Sequence, residues 1–159
     1  MAGRGRDKIP LEPHAARAHA LRALGRREHS ARELEHKLGH AGLHREAAAE
    51  VVQELGEGGW QSDARYAGLL TRSRISQGYG PLRITAELSA RGVDEGLIRA
   101  ALEEADCDWT ALILSVYERR YKQPAETSKE HASRYRFLAA RGFTSGQIRA
   151  VMKPAPDEE

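Results

Sequence analysis

The chain has little of several features that define common protein classes. Among its 159 residues there is a single cysteine, Cys107, which excludes an intrachain disulfide and a metal cage built from cysteines. No apolar run approaches the roughly 20 residues that a membrane-spanning helix needs. The segment from Met1 to Pro10 is polar and lacks the apolar stretch of a secretory signal. The sequence therefore predicts a cytoplasmic protein with no membrane partner.

Large aromatic residues and excess charge are also scarce. The chain contains only two Phe and two Trp, so several small cores are favoured over one large core. The formal net charge is +2, which creates no global basic field that would require a nucleic acid as partner. Any functional charge must therefore be local.

A repeat of 50 residues organises the sequence. Leu38, Leu88 and Leu138 occupy one repeated position, and a glycine followed by an apolar residue occupies another. These pairs are Gly42-Leu43, Gly92-Val93 and Gly142-Phe143. A fixed period over three copies is typical of tandem supersecondary units.

Helix-ending and helix-capping residues explain the repeat. Each repeated glycine suits the left-handed position that ends a helix, and the apolar residue after it packs back onto the last turn. Second helices are predicted to open at a Ser30–Glu33 capping box, at Gly80-Pro81, and at a Thr127–Glu130 capping box, while Thr144 and Gln147 cap the last helix.

Three modules of three helices each follow from this pattern, with no competing strand pattern. We predict an all-α fold with modules at residues 12–57, 62–106 and 108–153, stacked into an elongated, curved molecule. Trp60 and Trp109 lie at the two junctions between the predicted modules, which we expect them to seal.

The chain offers no constellation for catalysis. His36 and His40 have the i, i+4 spacing of metal ligands, but Gly42 should end their helix before His44, so a solvated surface is favoured over a metal site. Cys107 lies between two aspartates, which should raise its pKa rather than activate it. We predict a protein that is not an enzyme and needs no cofactor.

The strongest local charge is a run of 23 residues, Ala64–Ala86, that contains four arginines and no acid. Arg65 and Arg72 share a helix face, Arg74 falls nearer the buried side, and Arg83 lies one turn before Glu87, with which it can pair weakly. An ordinary solvated face accounts for any single arginine. As a group they suit phosphates or an acidic protein surface.

Three stretches of this sequence closely resemble the RecX family of bacterial recombination regulators. They are Gly78-Tyr79-Gly80-Pro81-Leu82-Arg83-Ile84 with the following Glu87–Val93, then Ser62–Ala67, and Phe137–Phe143. The resemblance extends over about residues 15–153 and implies three tandem three-helix repeats. It implies no catalytic residues. The positions that it suggests for partner binding are Arg72, Arg74, Tyr79 and Arg83, followed by Arg65 and Arg91.

The resemblance also implies a partner. RecX proteins bind the RecA recombinase and its filaments on single-stranded DNA, and they inhibit ATP hydrolysis, strand exchange and co-protease action in DNA repair, recombination and the SOS response. We expect a monomer that acts in this way. The alternative is a helical protein that binds DNA directly without RecA, although acidic residues crowd the last helices of the first two modules.

Overall fold

In the computed structural model, which describes residues 11–154, every regular element of that range is an α-helix. The elements in chain order are α1 (Pro13–Arg26), α2 (Ala31–His40), α3 (Arg45–Glu57), α4 (Asp63–Ser76), α5 (Pro81–Ala90), α6 (Glu95–Ala105), α7 (Trp109–Arg120), α8 (Ser128–Ala140) and α9 (Ser145–Val151). The all-α class and the nine helices predicted from the sequence are confirmed for these residues.

The repeated glycines end the second helix of each module. Gly42, Gly92 and Gly142 all have positive φ angles, at 105°, 80° and 95°. In the first module the amide of Leu43 donates to the carbonyl of Leu38 at 2.9 Å, and in the third Phe143 donates to Leu138 at 3.3 Å. These bonds reach back across the glycine and complete the helix ending that the sequence predicts.

The helix starts agree with the sequence in most places. Both bonds of the capping box form at Ser30, and both form at Thr144, while α5 begins at Pro81 as expected. The box predicted at Thr127 is wrong in one of its two bonds. The Thr127 hydroxyl accepts from the amide of Glu130 at 3.1 Å, but the Glu130 carboxylate accepts from the amide of Glu126 at 2.8 Å instead of from Thr127.

Small apolar clusters form the cores, in line with the shortage of large aromatics. In the first module Leu34, Leu38 and Leu55 are buried against alanines of α1. In the third module Ile113 and Phe143 are buried with neighbours from α8 and α9. Burial of each such side chain contributes about 1.5–3 kcal/mol. Because the buried residues recur at the repeated positions, the period in the sequence is a period of core packing.

The described chain divides into two compact units that do not follow the module boundaries. One unit comprises the chain as far as Tyr66 together with Arg91–Val93. The other comprises Ala67–Ala90 and the chain from Asp94 onward. The turn at Gly92 therefore belongs to the first unit, while α5 and α6 on either side of it belong to the second.

The expected role of Trp60 is not confirmed. Its side chain is 58% exposed, so it cannot seal a junction. Trp109 is half-buried and packs against the core of the third module. No helix between residues 11 and 154 is both long and apolar enough to cross a membrane.

Candidate partner-binding site

The central motif makes a close backbone contact within the second unit. The amide of Gly80 donates to the carbonyl of Arg141 at 2.8 Å, and the amide of Leu82 donates to the carbonyl of Gly142 at 2.9 Å. A Cβ atom on Gly80 would lie 2.4 Å from the carbonyl carbon and oxygen of Gly142. Only glycine permits this approach, so the motif joins the start of α5 to the turn that ends α8.

Arg141 fixes the loop that carries Tyr79. Its Nε donates to the carbonyl of Gly78 at 3.0 Å and its Nη2 to the carbonyl of Gln77 at 2.5 Å. The same guanidinium lies 4.4 Å from the centroid of the Tyr79 ring, and the guanidinium of Arg83 lies 4.1 Å from that centroid. The Tyr79 ring therefore packs against two guanidinium groups, and this contact holds the Arg83 side chain along the surface.

Arg74 is tied to an acid just beyond the acid-free run. Its Nε and Nη2 donate to the two carboxylate oxygens of Glu87 at 2.8 Å and 2.5 Å, and both side chains are half-buried. This two-point pairing fixes both planes and neutralises Arg74 locally. Arg74, Tyr79 and Arg83 line one shallow surface depression with Glu87.

Arg72 and Arg83 are the predicted arginines that remain available to a partner. Both are exposed, and within residues 11–154 neither forms a hydrogen bond or an ion pair. Arg72 lies on α4 and does not line the depression at Tyr79. No carboxylate in the described chain therefore pairs with either arginine.

Arg65 and Arg91 lie in the first unit and are already paired. The Nε of Arg65 donates to Glu28 at 2.9 Å, and its Nη2 donates to the carbonyl of Trp60 at 3.1 Å. The Nη1 of Arg91 lies 3.5 Å from the carboxylate of Glu33. Both side chains are about half exposed, so these pairs are weak, but they supply a structural role for each residue.

Glu33 is a half-buried acceptor that joins several parts of the first unit. Arg27 donates to its carboxylate at 2.7 Å, the Ser30 amide lies 3.4 Å away, and the Tyr66 hydroxyl also bonds to it. Burial alone would raise the pKa of Glu33, but the bonds from Arg27 and Tyr66 outweigh it and lower the pKa. Burial and the neighbouring Glu33 carboxylate raise the pKa of Tyr66 to about 12.

Three consecutive family models match the chain. Residues 16–55 match the first three-helix domain of RecX, residues 62–102 the second, and residues 106–152 the third. The chain belongs to the RecX family. The tandem three-helix repeats predicted from the sequence, and the resemblance drawn from its motifs, are thereby confirmed.

Relatives and solved structures agree with this assignment. The regulatory protein RecX of Halorhodospira halophila is 40% identical over 146 residues, which are 91% of this chain and 91% of the relative. That of Stenotrophomonas maltophilia R551-3 is 39% identical over 158 residues, covering 97% of this chain and 94% of the relative. The crystal structure of RecX from Lactobacillus salivarius has a TM-score of 0.74 at 21% identity, covers 87% of this chain and 93% of its own, and supports the fold.

The structure brings together only part of the predicted site. Arg74, Tyr79 and Arg83 meet, Arg72 stands apart on α4, and the other two arginines belong to the first unit. Sequence reasoning missed Arg141, which the structure places at the centre of the Tyr79 loop. The signal was present in the sequence, because an arginine precedes the repeated glycine in the second and third copies.

The alternative chemistries find no support in the described residues. No group of three or more His, Cys, Asp or Glu side chains between residues 11 and 154 could hold a metal ion. His44 serves as the cap of α3, where its Nδ1 accepts from the amide of Glu46 at 3.4 Å. Burial, and then the Asp108 carboxylate, raise the pKa of Cys107, as the sequence predicts in direction.

Proposed function

We propose that this protein is a non-enzymatic, cytoplasmic inhibitor of RecA in DNA repair, recombination and the SOS response. It binds RecA or RecA filaments on single-stranded DNA and suppresses ATP hydrolysis, strand exchange and co-protease activity. The observation that carries the proposal is the match of all three RecX domains in order along the chain. The relatives described as regulatory proteins, at about 40% identity over most of the chain, support it.

The contact with RecA is assigned first to Arg72 and Arg83. Both are exposed, and neither has a carboxylate partner among residues 11–154. Tyr79 supports Arg83, because its ring packs against the Arg83 guanidinium. Arg74 is proposed as a further contact residue, held in position by Glu87. Arg65 and Arg91 are proposed as weaker contacts, since each must first give up part of an ion pair.

Inhibition follows from binding across protomers. Three tandem modules on one chain can each make a weak contact, and linking them raises the effective affinity without a single deep pocket. A protein that binds neighbouring protomers in one arrangement stabilises that arrangement. It thereby opposes the rearrangements that ATP hydrolysis and strand exchange require.

The test measures ATP hydrolysis by RecA on single-stranded DNA while purified protein is added in excess. We expect the rate to fall, and an unchanged rate would refute the proposed function. The variant Arg72→Glu/Arg83→Glu should weaken inhibition by about tenfold or more, because each change reverses an exposed charge. Arg74 is left intact in this variant, since a glutamate there would face Glu87 and endanger the fold.

A matched control separates site from net charge. Arg99 and Arg136 are also exposed and form no ion pair or hydrogen bond with any residue in the described range. The variant Arg99→Glu/Arg136→Glu makes the same change in total charge and should inhibit normally. Equal loss in both double variants would show that net charge matters and that Arg72 and Arg83 are not the site.

Direct DNA binding is a separate outcome of the same series. A gel-shift assay with naked single-stranded DNA, run from low to moderate salt, measures it without RecA. Tight binding that persists in moderate salt would favour action through DNA over recruitment by RecA. The exposed glutamates on α3 and α6 argue against these helices as DNA readers, because they would face phosphates.

A further inference from the structure

A second basic surface lies beside the Tyr79 loop and is formed mainly by the third module. A groove of about 430 Å³ runs between the end of α4, α7 and α8. Its apolar lining comes from Leu112, Val116 and Phe137, and its basic lining from three arginines. We call this surface the Arg119 groove, and its arginines are Arg119, Arg120 and Arg141. No carboxylate lines it among the residues that the structure describes.

The positive charge of the groove is not neutralised inside the protein. Arg119 and Arg120 are exposed and make no ion pair or hydrogen bond with any residue from 11 to 154. Arg141 donates to two backbone carbonyls, which fix its position but leave its charge uncompensated. A helix C-terminus favours one or two basic residues at the end of α7. Arg141, the residue that follows α8, brings a third positive charge to the same apolar floor.

Two of the three groove arginines, Arg120 and Arg141, lie against aromatic rings. The Arg120 guanidinium lies 4.5 Å from the centroid of Phe137, and Arg141 lies 5.8 Å from the same centroid. Tyr121 meets Phe137 edge to face at 5.9 Å, and Arg134 lies 4.4 Å from the Tyr121 ring. Guanidiniums stacked in this way lose less rotational freedom when they bind an anion.

The same stacking decides between two kinds of anionic partner. Proteins that bind single-stranded nucleic acid present open aromatic faces on which bases stack. In this groove guanidiniums already pack against the ring of Phe137, so a base would have to displace them. An apolar floor rimmed by arginines instead suits one apolar side chain with carboxylates on either side.

We propose that the Arg119 groove binds a peptide segment of a partner protein in which an apolar side chain is flanked by acidic residues. The apolar side chain sits against Leu112 and Val116, and the carboxylates pair with Arg119 and Arg120. This inference does not depend on the proposed inhibition of RecA, because it concerns other residues and is tested without RecA.

The experiment uses the full chain and a synthetic peptide. A fluorescein-labelled decapeptide with one central phenylalanine among glutamates and aspartates is titrated with protein at low ionic strength, and anisotropy is recorded. Binding should weaken by about tenfold when the acids are changed to amides, and severalfold when the phenylalanine is changed to serine. Absence of binding by the acidic peptide would overturn the proposal.

Two variants locate the contact. Arg119→Glu/Arg120→Glu should weaken peptide binding by about tenfold or more, while Arg99→Glu/Arg136→Glu should change it by less than about twofold. Equal losses would assign the effect to net charge and overturn the groove. Circular dichroism checks the helical content of both variants. If Arg119→Glu/Arg120→Glu is misfolded, an NMR titration of the unaltered protein with the peptide gives the answer. The amide signals of α7 and α8 should shift, and shifts confined to other helices would overturn the proposal.

A nucleic acid arm tests the alternative occupant. A labelled oligothymidine of about 20 nucleotides is titrated under the same conditions and as a competitor of the peptide. We expect it to bind more weakly than the peptide and to compete poorly. If it binds more tightly, and loses affinity in the Arg119→Glu/Arg120→Glu variant, the groove is a nucleic acid site and the peptide proposal is wrong.

Discussion

Replacing Gly80 with alanine should separate the start of α5 from the turn after α8. The added Cβ would lie 2.4 Å from the carbonyl carbon and oxygen of Gly142 and 2.5 Å from the amide nitrogen of Phe143. These are backbone atoms, which cannot swing aside as the end of a side chain can. An ordinary carbon contact needs about 3.5 Å, so the two segments must move apart by about 1 Å.

The cost of this movement can be worked out from the bonds that cross the contact. The amides of Gly80 and Leu82 donate at 2.8 Å and 2.9 Å, and an added separation of about 1 Å takes both beyond hydrogen-bond distance. Each lost bond costs about 1 kcal/mol, and leaving Gly80 buried without a partner adds a similar amount. We therefore expect Gly80→Ala to lower the free energy of unfolding by about 2–4 kcal/mol.

Urea denaturation followed by circular dichroism measures the loss, and amide hydrogen exchange locates it. The Gly80 and Leu82 amides should be protected in the unaltered protein and exchange rapidly in Gly80→Ala. Gly96 is the matched control, because it is an exposed residue of α6 and a Cβ there meets nothing within 4 Å. Gly96→Ala should leave stability unchanged or raise it by up to about 1 kcal/mol. A change below about 0.5 kcal/mol in Gly80→Ala would refute the close contact.

Three further predictions concern titratable groups. Burial lowers the pKa of His29, whose Nε2 has no partner in the described chain, so the free energy of unfolding should fall as pH drops below about 6.5. Urea denaturation from pH 7.5 to 5 measures this dependence, and the free energy of unfolding should change less with pH in His29→Asn. An equal pH dependence in both proteins would contradict this. Glu33→Gln should lower the free energy of unfolding, measured by urea denaturation, by about 1–2 kcal/mol, because it weakens the contacts with Arg27 and Arg91. The control Glu50→Gln, at an exposed position, should change it by almost nothing. Equal losses in the two variants would show that these contacts do not stabilise the fold. Because its thiol pKa is raised, Cys107 should react with iodoacetamide at pH 7 more slowly than free cysteine. Asp108→Asn, which keeps the helix cap of α7, should speed the reaction. An unchanged rate in that variant would exclude a role for the Asp108 charge.

The scaffold could be predicted from the sequence because its signals are local or periodic. Leu38, Leu88 and Leu138 are fully buried, and each glycine four residues later takes the left-handed conformation. A helix stop of this kind depends on residues within one turn, so it can be recognised without knowledge of the rest of the fold. The Thr127 box failed because Glu126 offers a competing amide, which residue spacing alone does not reveal.

The site could be predicted only in part, because its electrostatics depend on residues distant in sequence. The run Ala64–Ala86 contains no acid, yet in space Glu28 pairs with Arg65 and Glu87 pairs with Arg74. Sequence spacing suggested Arg83 as a partner of Glu87, but the structure shows Glu87 bound to Arg74. A lack of acids along the chain therefore does not establish an unbalanced charge in the fold.

The repeat also explains why the central motif contains Gly80. In the first unit the Ser30 hydroxyl donates to the carbonyl of Arg91 at 2.8 Å, and in the second the Gly80 amide donates to the carbonyl of Arg141 at 2.8 Å. Donors and acceptors are each 50 residues apart, so one docking contact is used twice with different chemistry.

The third copy lacks this donor, because the equivalent position is not a helix start. The residue equivalent to Ser30 and Gly80 is Glu130, which lies inside α8, since that helix begins at Ser128. Its amide is already bonded to the Thr127 hydroxyl and cannot dock another turn. Gly80 in the family motif is thus explained by docking. Tyr79 and Arg83 form no backbone hydrogen bond across this contact, and they are the motif residues that we propose for partner binding.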